Sequence, residues 1–219
     1  MPIWQKEFKP EALFTEAFLT LNYLGGNGFI SWVFHPDMLF GARQNWWGAK
    51  KPRPRPHEGI DLCLYRDGRD KIINLNEGVG VPAAHEGRVV KVIDDFLGRS
   101  IFMEHRFPEI NPGVFLTFYG HTLPADGIIP GCSVKQGQLI ATVAPPKNSV
   151  PPHLHVTAAW SSNSPAYDTL DWSNISDPER LQLLDPLQIL GGLYELLGTS
   201  QAPEVDSLFL KRYFSKGNR

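Results

Sequence analysis

"PPHLHV", residues 151–156, sets two of the chain's seven histidines one residue apart behind paired prolines. In an extended strand, residues i and i+2 share a face. His153 and His155 therefore project side by side, while Leu154 and Val156 point the other way. Proline is tolerated at the first position of a strand but not in its centre, so Pro151 and Pro152 suit a strand entry. Two imidazoles on one face can bind a metal, or one can bind while the other moves a proton. They can equally be two hydrogen-bonded histidines on a polar strand face.

The flanking sequence favours strands. Twenty glycines and nineteen prolines in 219 residues imply many turns. "EGRVVKVIDD", "RSIFMEH", "GVFLTFYGH" and "QLIATV" read as short strands between glycine, proline and aspartate. "IDLCLYRDGRDKIINL" (60–75) reads as a hairpin turning at Asp67-Gly68. Helices are expected at the ends: over 10–24, where Leu13, Phe14, Ala17, Phe18, Leu21 and Leu24 recur at helical spacing, over 176–198, and over 203–215. In the second, Asp177 suits a cap, Pro178 the first turn, and Pro186 a break. The expected fold is mainly β, with antiparallel sheets forming an open groove. One domain spans 28–190, with an N-terminal helical extension (1–27) and a C-terminal one (191–219).

Bulk properties exclude some functions. A net charge of −2 gives no global positive field for nucleic acid or an anionic membrane. The basic run "AKKPRPRP" (49–56) reads as a solvated, proline-stiffened loop. No run of about 18 apolar residues suggests a transmembrane helix. The opening residues lack a basic start followed by an apolar core, so they do not read as an export leader. Cys63 and Cys132 form no metal-like pair; a disulfide and two buried thiols are both compatible with the sequence.

Three segments carry the polar chemistry. In "RPHEGIDL", His57, Gly59 and Asp61 share a strand face, and Gly59 leaves room for an ion between the other two. In "VFLTFYGHT", strand parity places Tyr119 with His121. In the opening stretch, His153, His155 and Thr157 share a face. A catalytic zinc needs three protein ligands and an open position, with a group nearby to take a proton. His57, Asp61 and one histidine of the 153/155 pair can supply the ligands. The other, with His121, can supply the proton chemistry. His35 and His85 fall in expected turns and read as solvated. Trp46 and Trp47 cannot share a strand face, so one can line a groove while the other packs.

The order "HEGID", "YGHT", "PPHLHV" resembles the lysostaphin/LytM-type zinc endopeptidases that cut peptides of bacterial peptidoglycan. "LFGAR" (39–43), "GVGVPAAHEGRVVKVID" (78–94), "PGCSVKQGQLIATV" (130–143) and "DPLQIL" (185–190) are similar to further pieces of that family in the same order. The resemblance covers about 28–190. It implies zinc as cofactor, with His57, Asp61 and His155 as ligands and His153 as general base. It implies that His121 orients substrate or stabilises the tetrahedral intermediate. It also implies a position beside the groove for His105, which with Tyr119 forms the candidate substrate-binding pair; Tyr119 reads as well as a packing residue. The substrate implied is a peptidoglycan peptide, and the compartment the cell envelope, periplasm or extracellular space.

Several features depart from the family pattern. The link from Asp61 to Val81 is long. Residues 41–56 contain no tyrosine, where lysostaphin-like members carry one, which argues against pentaglycine as substrate. "APPKNSVPP" (144–152) replaces a glycine- and serine-rich approach, and reads as a stiff groove wall. The alternatives to an endopeptidase are a non-catalytic zinc-binding module that activates a cell-wall hydrolase, a biotinyl- or lipoyl-type carrier modified at Lys135, and a zinc amidase or carboxypeptidase acting on the same polymer.

Overall fold

The structure, a computed structural model, describes residues 13–107 and 113–198. Helix α1 (Phe14–Leu21) precedes strands β1 (Ser31–Phe34), β2 (Ile60–Leu62), β3 (Leu64–Arg66), β4 (Ile72–Asn74), β5 (Gly80–Pro82), β6 (Gly87–Asp94) and β7 (Arg99–His105). There follow β8 (Val114–Pro124), β9 (Ser133–Val134), β10 (Leu139–Val143), β11 (Leu154–Ser161), β12 (Gln182–Leu184), helix α2 (Leu187–Leu190) and β13 (Tyr194–Leu196). The larger sheet runs β12-β11-β8-β7-β6-β9, with β2 on β11 and β10 joining β8 to β5. Its ladders are antiparallel. The smaller sheet runs β13-β1-β3-β4, and only its β1–β13 ladder is parallel. The protein is thus mainly β, as the turn-rich sequence implies.

Strand parity divides the core. Phe115 and Tyr119 of β8, with Leu154, Val156 and Ala158 of β11, face the main cluster, which also holds Trp32, Phe14 and Phe18. Val114, Leu116 and Phe118, with Ala159, face a smaller cluster closed by Leu170, Ile175 and Leu181. One edge of β11 pairs with β8; the other is shared end to end, 154–156 by β2 and 158–160 by β12. This sharing brings the "HEGID" strand alongside the "HLHV" strand.

The terminal segments pack on the same core. Thr15 donates to the Leu190 carbonyl at 2.7 Å and accepts from Trp32 Nε1 at 2.8 Å, which ties α1 to α2 and β1. Asn22 ends the helix and uses its amide as a strand would, donating to the Gly80 carbonyl and accepting from the Gly80 amide.

Two expectations need correction, and one open alternative is decided. The 60–75 hairpin forms only from β3 and β4; the chain changes sheet at Cys63, so β2 pairs with β11 instead. The helix expected over 176–198 is a turn capped by Asp177, then β12, then the four-residue α2, then β13. The reason is tertiary: the β11 edge recruits 182–184, and Gly191 and Gly192, both at positive φ, stop the helix after Pro186. Cys63 and Cys132 are free thiols; Cys63 is buried, and burial pushes its pKa up. The helix expected over 203–215 lies outside the described residues. Among the described residues, no helix is long and apolar enough to cross a membrane.

Candidate metal centre and its cleft

Asp61 and His155 are direct partners across the β2–β11 ladder. His57 lies four residues upstream of Asp61, on the approach to β2. Oδ1 of Asp61 is 2.8 Å from His155 Nδ1 and 3.2 Å from His57 Nε2, and the two imidazole nitrogens are 3.1 Å apart. These three side chains form a buried group whose ligand atoms all lie within 4.8 Å of one another. Gly59 makes the approach possible. A Cβ there would stand 2.1 Å from the Val156 carbonyl oxygen and 2.8 Å from His155 Nε2.

Hydrogen bonds outside the cluster aim its donors. His57 Nδ1 lies 3.0 Å from the Leu39 carbonyl, which can only accept, so Nδ1 carries the proton and Nε2 presents a lone pair. His155 Nε2 meets Thr157 Oγ1 at 2.9 Å, which turns Nδ1 inward. Oδ2 of Asp61 is taken by Trp46 Nε1 at 2.7 Å and faces Arg53 Nη2 at 3.3 Å, so Oδ1 faces the histidines. Burial works against the Asp61 charge, but its close contacts with His57, His153 and His155 hold the carboxyl well below its ordinary range. Burial also pushes His155 down to about 4. Two neutral imidazoles and a carboxylate converging in this way make a donor set that fits zinc.

His153 stands beside this cluster, fully buried. Its Nδ1 lies 2.8 Å from the Pro151 carbonyl, so that nitrogen carries the proton. Its Nε2 is 3.8 Å from Asp61 Oδ1 and has no hydrogen-bond partner among the described residues. An orphaned buried nitrogen costs about 1–3 kcal/mol, and here it is turned toward the group that would hold a metal. Burial pushes the imidazole down to about 3, against the pull of Asp61.

An open cleft of about 720 Å³ exposes the cluster. Trp47, Phe96 and Trp172 wall it; Arg53, Glu58 and His121 line it. The two adjacent tryptophans lie in a bend rather than a strand, yet they divide, Trp47 lining the cleft and Trp46 lying buried.

His121 reaches the cleft by an irregularity. Between Ile101–Tyr119 and Arg99–Thr122 the β7–β8 register gains one residue on β8, and His121 takes a φ of 63°. The extra residue resets the alternation. Tyr119 therefore does not share a face with His121: it is buried in the main cluster, and its hydroxyl accepts from the Ala84 amide at 2.8 Å. His105 is also fully buried, held by the Glu86 carbonyl and Thr117 Oγ1. The structure brings neither expected substrate-binding residue into the cleft. His35 and His85, expected to be solvated, are 7% and 3% exposed. His85 packs edge-to-face against His105, Phe107 and Phe115.

Sequence reasoning missed other contributors. Arg53 comes from the run read as a solvated loop, yet only 12% of its side chain is exposed, and it lies over the Trp47 ring. Asp95 and Trp172 come from turns with no periodic signal. Conversely, residues 144–152, expected as a wall, contribute nothing to the cleft's lining; they touch the site's histidines through the Pro151 carbonyl, which meets His153, and the Ala144 amide, which donates to the His121 carbonyl at 2.9 Å.

A β-groove with a buried His-Asp-His donor set and two further histidines beside it is a candidate metal centre. The profile of peptidase family M23 matches residues 55–167, just over half the chain and all five of these residues. The chain belongs to that family.

No curated protein matches it. Among solved structures, lysostaphin, the antimicrobial peptidase from Staphylococcus simulans, is 24% identical with a TM-score of 0.39, covering 66% of this chain and 48% of that one. This chain thus spans about half of the full lysostaphin chain. Its catalytic domain alone is 22% identical with a TM-score of 0.41, covering 75% and 90%. A zinc-containing peptidase from Vibrio cholerae is 20% identical with a TM-score of 0.40, covering 67% and 35%.

Proposed function

We propose that the chain is a zinc endopeptidase that hydrolyses peptide bonds in the stem peptides or cross-bridges of bacterial peptidoglycan, working in the cell envelope. One observation carries this reading: His57 Nε2, Asp61 Oδ1 and His155 Nδ1 converge beside the partnerless Nε2 of His153. His57, Asp61 and His155 would hold zinc, which when bound supplies a Lewis acid for the scissile carbonyl and lowers the pKa of a water. His153 acts as general base: its Nδ1–H is committed to the Pro151 carbonyl, so Nε2 is the atom that takes the proton of the attacking water. His121 faces the same space and orients the peptide or steadies the charge that develops on its carbonyl oxygen. Trp47, Phe96 and Trp172 hold the peptide and exclude bulk water. Membership of family M23 supports a peptide bond as the target, and the order of the sequence motifs supports peptidoglycan as its source.

The test is incubation of the full chain with purified peptidoglycan, followed by mass analysis of the released fragments. The reading expects new amino and carboxyl termini within the peptides, lost on chelation and restored by zinc. Fragments broken only at the sugar–peptide amide, or an undigested polymer, would overturn it.

A further inference from the structure

The two candidate catalytic histidines meet different groups at Nδ1: His153 a backbone carbonyl within hydrogen-bond reach, and His121 a buried carboxylate at 3.2 Å, close but outside hydrogen-bond geometry. That carboxylate is Asp95, in the turn between β6 and β7. Its Oδ1 accepts from the Leu97 and Gly98 amides at 2.9 and 2.7 Å. Its Oδ2 accepts from Ser100 Oγ at 2.6 Å and from the His121 amide at 2.8 Å. Four donors fix its position, and Oδ1 also lies 3.2 Å from His121 Nδ1. Ser100 in turn accepts from Trp172 Nε1 at 2.9 Å, which joins the carboxylate to the cleft wall.

The backbone is shaped to make this contact. His121 adopts the left-handed conformation, uncommon outside glycine, and its amide is then free of the ladder to meet Asp95. Gly98 lets the turn close against β8: a Cβ there would stand 2.6 Å from the Thr122 carbonyl oxygen.

We infer that Asp95 is a positioning residue for His121: it keeps the proton on Nδ1, fixes the ring, and leaves Nε2 as the working atom in the cleft. At 3.2 Å the carboxylate repels a lone pair on Nδ1 and attracts a proton there, which favours the tautomer protonated on Nδ1 although the contact is not aligned as a hydrogen bond. Lacking this partner, the ring can exchange tautomers and turn, and the atom presented to substrate is no longer defined. The inference rests on the proposed reading for its consequence in turnover, but not for the tautomer itself.

The experiment is nitrogen NMR of the His121 ring in the full chain, metal-free and zinc-loaded, with turnover of purified soluble cross-linked muropeptides measured on the same preparations. In the wild type, Nδ1 is expected to be protonated and Nε2 bare. Asp95→Asn should abolish that preference and lower kcat by roughly 10²-fold or more, with KM and zinc content within about twofold. Ser100→Ala, which keeps the carboxylate, should retain the wild-type tautomer. A wild-type ring protonated on Nε2 overturns the inference without any variant, so misfolding of Asp95→Asn cannot shelter it. An unchanged tautomer or unchanged kcat in a folded Asp95→Asn protein also overturns it. A wild type inactive on every muropeptide counts against the peptidase reading, while the ring measurement still decides the tautomer.

Discussion

Oδ2 of Asp61 is capped by the indole N–H of Trp46 at 2.7 Å, while Oδ1 of the same carboxylate faces the two cluster histidines. A residue with no ligand atom thus decides which oxygen is offered to a metal. Trp46→Phe keeps an aromatic ring but removes the donor together with part of the buried indole. Groups behind a metal ligand typically contribute 10- to 100-fold in affinity, so zinc binding should weaken by roughly that factor. Competition titration against a chelator of known affinity measures it, and unchanged affinity would show that the cap is idle.

His153 and His155 should separate cleanly. His155→Ala removes one of the three converging donors and should leave the purified chain with little zinc. His153→Ala should retain zinc yet lose roughly 10²- to 10⁴-fold in turnover. Metal analysis and rates on the same preparations decide the assignment. Loss of zinc in the His153 variant but not in the His155 variant would reverse it.

This site was legible where its motifs are short. Asp61 and His155 lie in β2 and β11, His153 one residue ahead of β11, and His57 and Gly59 on the approach to β2, so these short motifs stay together in space and could be read locally. His121 lies beyond a one-residue irregularity, and parity failed there: it grouped Tyr119 with His121, whereas Tyr119 is buried; His105, which the resemblance put beside the groove, is buried too. Arg53, Asp95 and Trp172 reach the cleft from loops, where position is set by long-range contacts that carry no periodic signal. The false helix over 176–198 has the same origin, because its helical spacing lost to an open edge of β11.

Gly59 offers a sharp test of the cradle. Alanine there would set a methyl 2.1 Å from the Val156 carbonyl oxygen and 2.8 Å from both His155 Nε2 and Thr157 Oγ1. Backbone cannot yield as a flexible side chain does, so β2 must move away from β11. Overpacking of this kind costs about 1–3 kcal/mol and sometimes more. Gly59→Ala should lower stability by at least that amount in denaturant titration and impair zinc retention. A variant with wild-type stability and zinc content would mean that the β2–β11 contact is looser than these distances require.

The buried pair His85 and His105 should make the protein sensitive to acid. Burial pushes His85 down to about 4 and His105 to about 3, the latter against the pull of the Glu86 carbonyl and Glu104. In the unfolded chain both return to about 6.5. Between these values the unfolded state binds more protons than the folded one, so stability rises with pH. The contribution is complete above about pH 6.5 and is lost as pH falls toward 4 and then 3. At about 1.4 kcal/mol per pKa unit, each ring removes on the order of 3 kcal/mol by pH 4. His85 can be tested without sacrificing a known hydrogen bond, because its Nε2 is buried and partnerless among the described residues and its ring sits between Phe107 and Phe115. His85→Phe should fold, should match or exceed wild-type stability at pH 7.5, and should lose markedly less stability between pH 6.5 and 4. Denaturant midpoints of the zinc-loaded proteins across that range measure the difference. Parallel stability curves for wild type and variant would show that His85 takes up its proton without cost, and that its burial is not what holds it neutral.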